Sequence, residues 1–549
     1  MRARDVFLQS LIANEATAIF GNPGTTENPL LDSLVDYPTL QYFKFLHEGV
    51  AVSAAGYYAQ ASGKTGIANV HVAPGLGNTI GTIYGALKAC MPLVVTAGQQ
   101  DTRMRLRAPI LHHDLVAMAK PVCKWAVEVT AADEMSHVMH RAFRIANEHP
   151  KGPVFVSLPI NVMEQETAIG PAPQSVLPPA SRPNSNDLDA LGELLANAQN
   201  PAFFAGDDVA AYFTVNEFEQ VVELAGATVY TEVLRARQAL RASHPNLGRR
   251  IPYTASGLRN LLEEHDLLVI VGGPFVEEVW FDDIEAKPPT TKVVQLEMSN
   301  ARMSPNLPPD LYILGDIKTS MAEVKARLQD APTAFKNAAI SRNQKAVTRK
   351  ASELERWRSS SAQNDNQLTV GLAFETISHS LGEEVIVVDE AITAAIDLEN
   401  AFQPDAEQFY ASRGGGIGQG VAGALGIALA KPDKRVVAIS GDGSAMYSSP
   451  SFWTAASYQL NVLFVIVANR EYGILKRNLD EHRRRFNGDP DKPYPEMDLD
   501  NPVVDFAALA SSMGVPARKT ENTDELRAAL EEARRHEGPF LLEVVVAPK

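Results

Sequence analysis

The chain repeats one pattern: short, valine-rich apolar runs bounded by turn residues, separated by stretches long enough for a helix. GIANVHVA at 66–73, PLVVTAG at 92–98 and GPVFVSLP at 152–159 are of this kind. Runs this short, apolar at consecutive positions, suit strands buried on both faces. The segment 77–89 between two of them reads as a helix. Strands alternating with helices build a parallel sheet covered on both sides, an α/β architecture. The pattern returns at PAFFAG (201–206), LLVIVGG (267–273) and KVVQLEM (292–298), fading after LYILGD (311–316). It returns again at EVIVVDE (384–390), RVVAISGDG (435–443), NVLFVIVAN (461–469) and FLLEVVV (540–546). The proline-rich stretch 170–185 reads as an extended linker, and the polar, helix-prone 317–365 leads to a second one. The expectation is three doubly wound parallel-sheet domains, 1–170, 186–335 and 366–549, the last opening near Asn366. Leu475–Pro502 is a charged, proline-rich excursion, which reads either as a mobile lid or as a solvated loop.

Composition narrows the partners. The 549 residues carry a net charge of −16, with acidic and basic residues intermixed, which argues against a nucleic-acid partner. Two cysteines, Cys90 and Cys123, leave no disulfide framework and no cysteine-built zinc site. The amphipathic N-terminus, with Glu15 inside it, does not read as a secretory signal, and no run of apolar residues is long enough for a membrane helix. A cytoplasmic protein is expected.

Gly441-Asp442-Gly443-Ser444 ends one apolar run and opens a helix-prone stretch. Glycines let backbone amides approach an anion closely, a helix N-terminus favours negative charge, and Asp442 offers a hard oxygen. Alone this is a common turn sequence. Asn469 stands 27 residues on, at the end of the next apolar run. If the two runs are adjacent parallel strands, Asp442 and Asn469 share a carboxyl edge, where open α/β sheets bind ligands. A carboxylate, an amide oxygen and the main-chain oxygen of Glu471 form a sparse oxygen set. Such a set suits magnesium that also takes diphosphate oxygens and water.

GDGSAMYS followed at that interval by VANREYG resembles the thiamine-diphosphate motif. Near the N-terminus, GNPGTTE (21–27), LHEGVAVSAAGYYAQASG (46–63), NVHVAPGLGNTIGTIYGA (69–86) and PVCKWAVEV (121–129) resemble the benzoylformate decarboxylase branch of the thiamine-diphosphate-dependent 2-oxo acid decarboxylase and acetolactate synthase family. The resemblance runs nearly the full chain and is strongest at both ends. It implies metal ligands at Asp442, Asn469 and Glu471, with further cofactor contacts from Gly441, Gly443, Ser444, Tyr472, Gly473 and Ile474. Where the family often has a second asparagine after the ligand position, this chain has Arg470. Glu48 matches the glutamate that hydrogen-bonds the cofactor's aminopyrimidine; set among Val50, Val52 and alanines, its carboxyl is suited to hold and pass a proton. By its residues alone it also reads as a glutamate stabilised at a helix N-terminus. His71 by itself reads as a core histidine; the resemblance makes it an active-site residue for proton transfer or substrate positioning. Thr25 falls where the decarboxylase has a substrate-binding serine, and Asn22, Pro23 and Gly24 form the turn that in the family lies near the other subunit's diphosphate. In RGGGIGQG (413–420) the carbonyl of Gly415 would accept from the cofactor's amino group and Ile417 matches the wedge that bends the cofactor.

The match departs at one place. The decarboxylase carries a second active-site histidine in its middle domain, and GGPFVEEVWFDD (272–283) has none, with Val279 or Trp280 near that position. His112-His113-Asp114 could supply a replacement donor or be a surface pair. Pocket candidates Thr25, His71, Leu111, Ile392, Ile474 and Leu475 are mostly apolar and suit a hydrophobic 2-oxo acid. The expected activity is non-oxidative decarboxylation of such an acid, benzoylformate-like, to an aldehyde and carbon dioxide. The resemblance further implies an obligate homodimer and a homotetramer. A carboligase resembling acetolactate synthase is the alternative. A nucleotide-binding oxidoreductase or a non-catalytic binding module is more remote, because VGGPF at 271–275 is only a loose glycine turn and no G-x-G-x-x-G stands in the right context.

Overall fold

The computed structural model of the chain describes all residues except 178–179, 274–275, 305, 362–367 and 548–549. The expected opening of the third domain at Asn366, and part of the 272–283 stretch, lie outside the described residues. Three six-stranded parallel sheets with interleaved helices make up the fold. The first uses β1 (Ala18–Gly21), β2 (Gln41–Lys44), β3 (Gly66–Val70), β4 (Leu93–Gln99), β5 (Trp125–Glu128) and β6 (Pro153–Pro159), in the order β2-β1-β3-β4-β6-β5. The second uses β7 (Pro201–Ala205), β8 (Thr228–Thr231), β9 (Leu247–Arg250), β10 (Leu267–Val271), β11 (Lys292–Glu297) and β12 (Leu311–Leu314), in the order β12-β11-β10-β7-β8-β9. The third uses β13 (Ile386–Glu390), β14 (Phe409–Ala411), β15 (Val436–Gly441), β16 (Val462–Ala468), β17 (Ala517–Thr520) and β18 (Phe540–Val545), in the order β14-β13-β15-β16-β18-β17. The first and third sheets therefore wind identically, and the second has the order of a dinucleotide-binding fold.

The apolar runs form strands because both faces of each sheet are covered. Every residue of β4, β6 and β16 is buried. In the second sheet Phe203 and Val269 face one core, shared with Phe218. Their neighbours Phe204 and Ile270 face another, shared with Leu258. Each such side chain contributes about 1.5–3 kcal/mol on burial. By packing, the chain divides into two compact units: Met1–Leu177 with Asn364–Ile396 and Ser412–Lys549, and Pro178–Gln363 with Asp397–Ala411.

Within the first unit, helix Glu48–Ser62 crosses helix Gln419–Ala430 at van der Waals distance. A Cβ on Gly426 would stand 1.9 Å from the carbonyl oxygen of Ala54, so only glycine permits this approach.

Two sequence expectations are revised. The segment 77–89 is not one helix: helix Val72–Gly77 ends and Ile80–Lys88 begins after a break at Asn78-Thr79. Leu475–Pro502 divides in two, a helical start and then a loop most of whose residues at 486–502 are exposed, so the solvated-loop alternative holds only beyond the helix. It starts inside helix Gly473–Arg485, and the rest folds back onto that helix. Tyr494 stacks under Arg483 and donates to Asp480 (2.7 Å). The amide of Leu499 donates to the carbonyl of Arg470 (2.7 Å), and Lys476 pairs with both Glu471 and Asp498.

Candidate active site

In the first sheet the strand order reverses between β1 and β3, which opens a crevice at their carboxyl ends. Asn22 follows β1 and His71 follows β3. Glu48 opens the helix that follows β2, with His47 as N-cap accepting from the amide of Gly49 (3.1 Å). Its carboxylate is 8% exposed and fully engaged: the side-chain amide of Asn22 donates to Oε1 and that of Asn78 to Oε2, both at 3.0 Å. The break at Asn78-Thr79 thus has a use, since it turns Asn78 toward Glu48. His71 is N-cap of the next helix and is followed by Val72 at φ +40°, an outlier for a β-branched residue.

Glu27 is a residue that the sequence analysis missed. It is 2% exposed and its carboxylate meets four hydrogen-bond partners. Oε1 accepts from the amide of Gly98 (2.8 Å) and the hydroxyl of Thr26 (3.0 Å). Oε2 accepts from the amide of Gly24 (2.8 Å) and bonds Nδ1 of His71 (2.8 Å). That bond is the main reason the His71 pKa lies above its usual value; partial burial opposes it, and the negative charge of Glu48 adds to it. The available signal was Gly24-Thr25-Thr26-Glu27, an acidic residue three places after an N-cap. Thr25 itself is exposed, and Pro23 is half-buried in the same turn. A Cβ on Gly24 would lie 2.3 Å from the His71 ring, so this turn and that ring are in direct contact.

The third sheet has its reversal between β13 and β15. β15 and β16 are parallel neighbours with Gly441 opposite Val467, so Asp442 and Asn469 emerge at one edge as their spacing predicts. The helix after Gly441 is a single turn, Asp442–Ala445, running into the 3₁₀ turn Met446–Ser448. Asp442 accepts from the amides of Gly443 (2.8 Å) and Arg470 (2.7 Å). Arg470 takes φ +58° to reach it. Burial pushes the Asp442 carboxyl above its usual pKa against these two bonds, and Glu471 adds to the rise. Among the described residues no cationic side chain pairs with Asp442, and Oε1 of Glu471 is a buried oxygen without a hydrogen-bond partner. A divalent cation fits this set: hard oxygens, a buried carboxylate short of positive charge, and an orphaned oxygen beside it.

Around this edge, the space where Gly441 and Gly415 would carry a Cβ is open, and Gly415 sits at φ +75°. Ser444 and Ile417 are half-buried. The Tyr472 ring packs 2.5 Å from the position of a Gly443 Cβ. Glu390, at the end of β13, accepts from the amide of Gln419 (2.7 Å) and the hydroxyl of Ser440 (3.2 Å), bracing the glycine loop against the strand. Complete burial pushes its pKa up to about 7. The 3₁₀ turn Ile392–Ala394 lies against the start of helix Gly473–Arg485, with the methyl of Thr393 3.6 Å from a Gly473 Cβ position. Ile392 and Ile474 are half-buried there and Leu475 is 44% exposed. Leu111 stands on the loop after β4 instead, 38% exposed at φ +69°. In the same loop His112 meets Oε1 of Gln99 (3.3 Å), while His113 is exposed. In the second sheet's unit Val279 is 57% exposed and its amide donates to the carbonyl of Tyr253 (3.0 Å).

Paired glycine loops at two identically wound sheets, one with acid–base side chains and one with a cation-ready oxygen set, describe a diphosphate-cofactor enzyme. The chain belongs to the thiamine pyrophosphate enzymes: residues 1–118 match the N-terminal TPP binding domain, 188–324 the central domain and 355–544 the C-terminal TPP binding domain. It is 29% identical to the benzoylformate decarboxylase of Pseudomonas aeruginosa, over 96% of each chain. It is 26% identical to the catabolic acetolactate synthase of Raoultella terrigena, over 99% of this chain and 94% of that one. The solved benzoylformate decarboxylase of Polynucleobacter necessarius shares the fold, with a TM-score of 0.86 over 100% of this chain and 99% of that one at 24% identity. Among the described residues no helix is long and apolar enough to cross a membrane.

Proposed function

We propose that the chain is a thiamine-diphosphate- and magnesium-dependent decarboxylase of a hydrophobic, benzoylformate-like 2-oxo acid, releasing carbon dioxide and an aldehyde. The observation that carries this reading is the pair Glu48 and His71 at one strand reversal: a buried carboxylate locked by two asparagine amides beside an imidazole locked by another carboxylate. When bound, thiamine diphosphate supplies a nucleophilic carbon and an electron sink. Asp442, the side-chain oxygen of Asn469 and the main-chain oxygen of Glu471 would hold Mg²⁺. Gly441, Gly443, Ser444, Tyr472, Gly473 and Ile474 would surround the diphosphate, and Ile417 with the Gly415 carbonyl would fix the ring geometry. Glu48 would relay the proton that activates the cofactor's ring, and Asn22 and Asn78 fix both of its oxygens in place. Thr25 and His71 face the substrate carboxylate, and His71 returns a proton to the carbon that has lost carbon dioxide. The mostly apolar Leu111, Ile392, Ile474 and Leu475 favour a hydrophobic side chain on the acid.

In this reading one chain does not complete a site. The hydrogen-bond partners of Glu48 are both from its own domain, and unit one exposes Leu106 (102%), Ile110 (81%), Tyr447 (62%) and Ile396 (61%). Exposed apolar side chains of this size support a homodimer in which Glu48 of one chain serves the magnesium edge of the other; a cytoplasmic homotetramer of two such pairs is the wider proposal. A second reading, a carboligase, is favoured by the absence of a histidine at 272–283 and by the acetolactate synthase relatives. A panel of 2-oxo acids with thiamine diphosphate and magnesium tests both. Aldehyde and carbon dioxide from aromatic acids support the decarboxylase, acetolactate from pyruvate supports the ligase, and inertness toward every acid refutes both.

A further inference from the structure

Glu27 does work that no part of the proposed chemistry requires of it directly. Its four partners occupy both carboxylate oxygens, and the two backbone amides among them come from different segments, Gly24 and Gly98. A Cβ on Gly98 would stand 2.3 Å from Oε1, so that strand end is shaped around this side chain. An acceptor so fully supplied with donors fixes the hydrogen at Nδ1 of His71, since Oε2 already accepts and has nothing to donate. Nε2 is then the only ring nitrogen free to take up or release a proton. The ring is also fixed in orientation, between the Gly24 turn and the strained Val72.

We propose that Glu27 is a positioning residue that commits His71 to a single tautomer and orientation, so that proton exchange with the reacting substrate runs through Nε2 alone. This rests on His71 being the acid–base group proposed above. Decarboxylation of a 2-oxo acid anion to an aldehyde consumes one proton per turnover. The proton passes from Nε2 to the carbon that has lost carbon dioxide, and water restores it to Nε2, while Nδ1 keeps its own proton against Glu27 throughout. The other charged and titratable groups around His71 are Glu48, from helix Glu48–Ser62, and the phenol of Tyr42 on β2, which feels the charges of Glu27 and Glu48. Neither is a hydrogen-bond partner of the imidazole; besides Glu27, the hydroxyl of Thr26 lies 3.2 Å from Nδ1, and because it donates its hydrogen to Oε1 of Glu27 it accepts from Nδ1, which keeps the hydrogen on that nitrogen.

The test is the titration of His71 in the full-length, cofactor-free protein, labelled at histidine Cε1 and assigned by the signal lost in His71→Gln. In the wild type His71 must titrate above 6.5, the ordinary histidine value. In Glu27→Gln its titration must move down, and the pH limb of kcat/KM that follows His71 must move with it while kcat falls about 10²-fold. A wild-type midpoint at or below 6.5, or an unchanged midpoint in Glu27→Gln, overturns the proposal. The wild-type measurement decides even if Glu27→Gln does not fold. If no 2-oxo acid is turned over, the functional reading fails, but the coupling of Glu27 to His71 is still decided by the titration.

Discussion

Two sheets of this chain reverse their strand order beside a Gly-Asp step, and the two steps meet different surroundings. In the second sheet β7 ends in Gly206-Asp207-Asp208. Asp207 accepts from the amides of Ala236 and Arg237, both at 3.0 Å, and Asp208 pairs with the buried Arg302. Across the reversal the amide of Gly273 donates to Glu297 (2.8 Å) and its carbonyl accepts from Arg302 (2.7 Å). At this edge Asp208 has a cationic partner supplied by the protein itself. In the third sheet β15 ends in Gly441, followed by Asp442-Gly443, and among the described residues Asp442 finds two backbone amides but no cation. The same strand-end chemistry thus yields an aspartate paired with an arginine in one place and, among the described residues, an aspartate without a cationic partner in the other. A carboxylate at a strand reversal is a ligand only when neighbouring loops leave its charge uncompensated. The dinucleotide-type strand order of the second sheet does not by itself make it a nucleotide site.

Substitutions can break this contrast. Asp442→Ala should weaken magnesium-dependent binding of thiamine diphosphate by about 10³-fold or more, beyond the 10–100-fold typical of an outer-shell partner. Calorimetry with and without magnesium checks this, and unchanged affinity would erase the distinction between the two edges. Arg302→Met should cost about 3 kcal/mol of stability by stranding Asp208, with kcat unaltered. Urea unfolding beside a rate assay would show it, and a loss of rate at full stability would make the second edge functional. His71→Ala should slow turnover about 10²-fold, and an unchanged rate would reduce it to a core histidine. A further effect concerns Glu390, whose pKa rises from 4.5 to about 7 in the folded chain. The native state keeps this proton after the unfolded chain has released it. Its contribution is therefore fully present below pH 4.5 and is lost as pH rises through about 7, with a slope of at most about 1.4 kcal/mol per pH unit. Glu390→Gln should flatten that stretch of the stability curve; a curve that keeps its slope would show the carboxyl is not the source.

Much of this was legible in the sequence because it depends on strand ends. Asp442 and Asn469 are brought together by neighbouring parallel strands, and Glu48 and His71 are marked by the blocks around them. What escaped were features set by distant partners. Glu27 is buried by Gly98, 71 residues away, and by His71, 44 residues away, and nothing local announces either contact. Helix Gly473–Arg485 was hidden because its charged sequence looks like loop, yet ion pairs such as Lys476 with Glu471 and Asp498 satisfy those charges once the chain folds back. The split falls at Gly77-Asn78-Thr79, a local polar break that the single-helix reading passed over, and it lets Asn78 reach Glu48.

In the proposed reaction Glu48 switches on a cofactor held at the edge of Asp442 and Asn469. Exchange of the thiazolium proton of bound thiamine diphosphate for deuterium, followed by quenched-flow NMR, tests it most directly. Exchange is expected to be rapid in the wild type and slowed by about 10²-fold or more in Glu48→Gln, with the cofactor still bound. Equal exchange rates in the two proteins at full cofactor occupancy would contradict it.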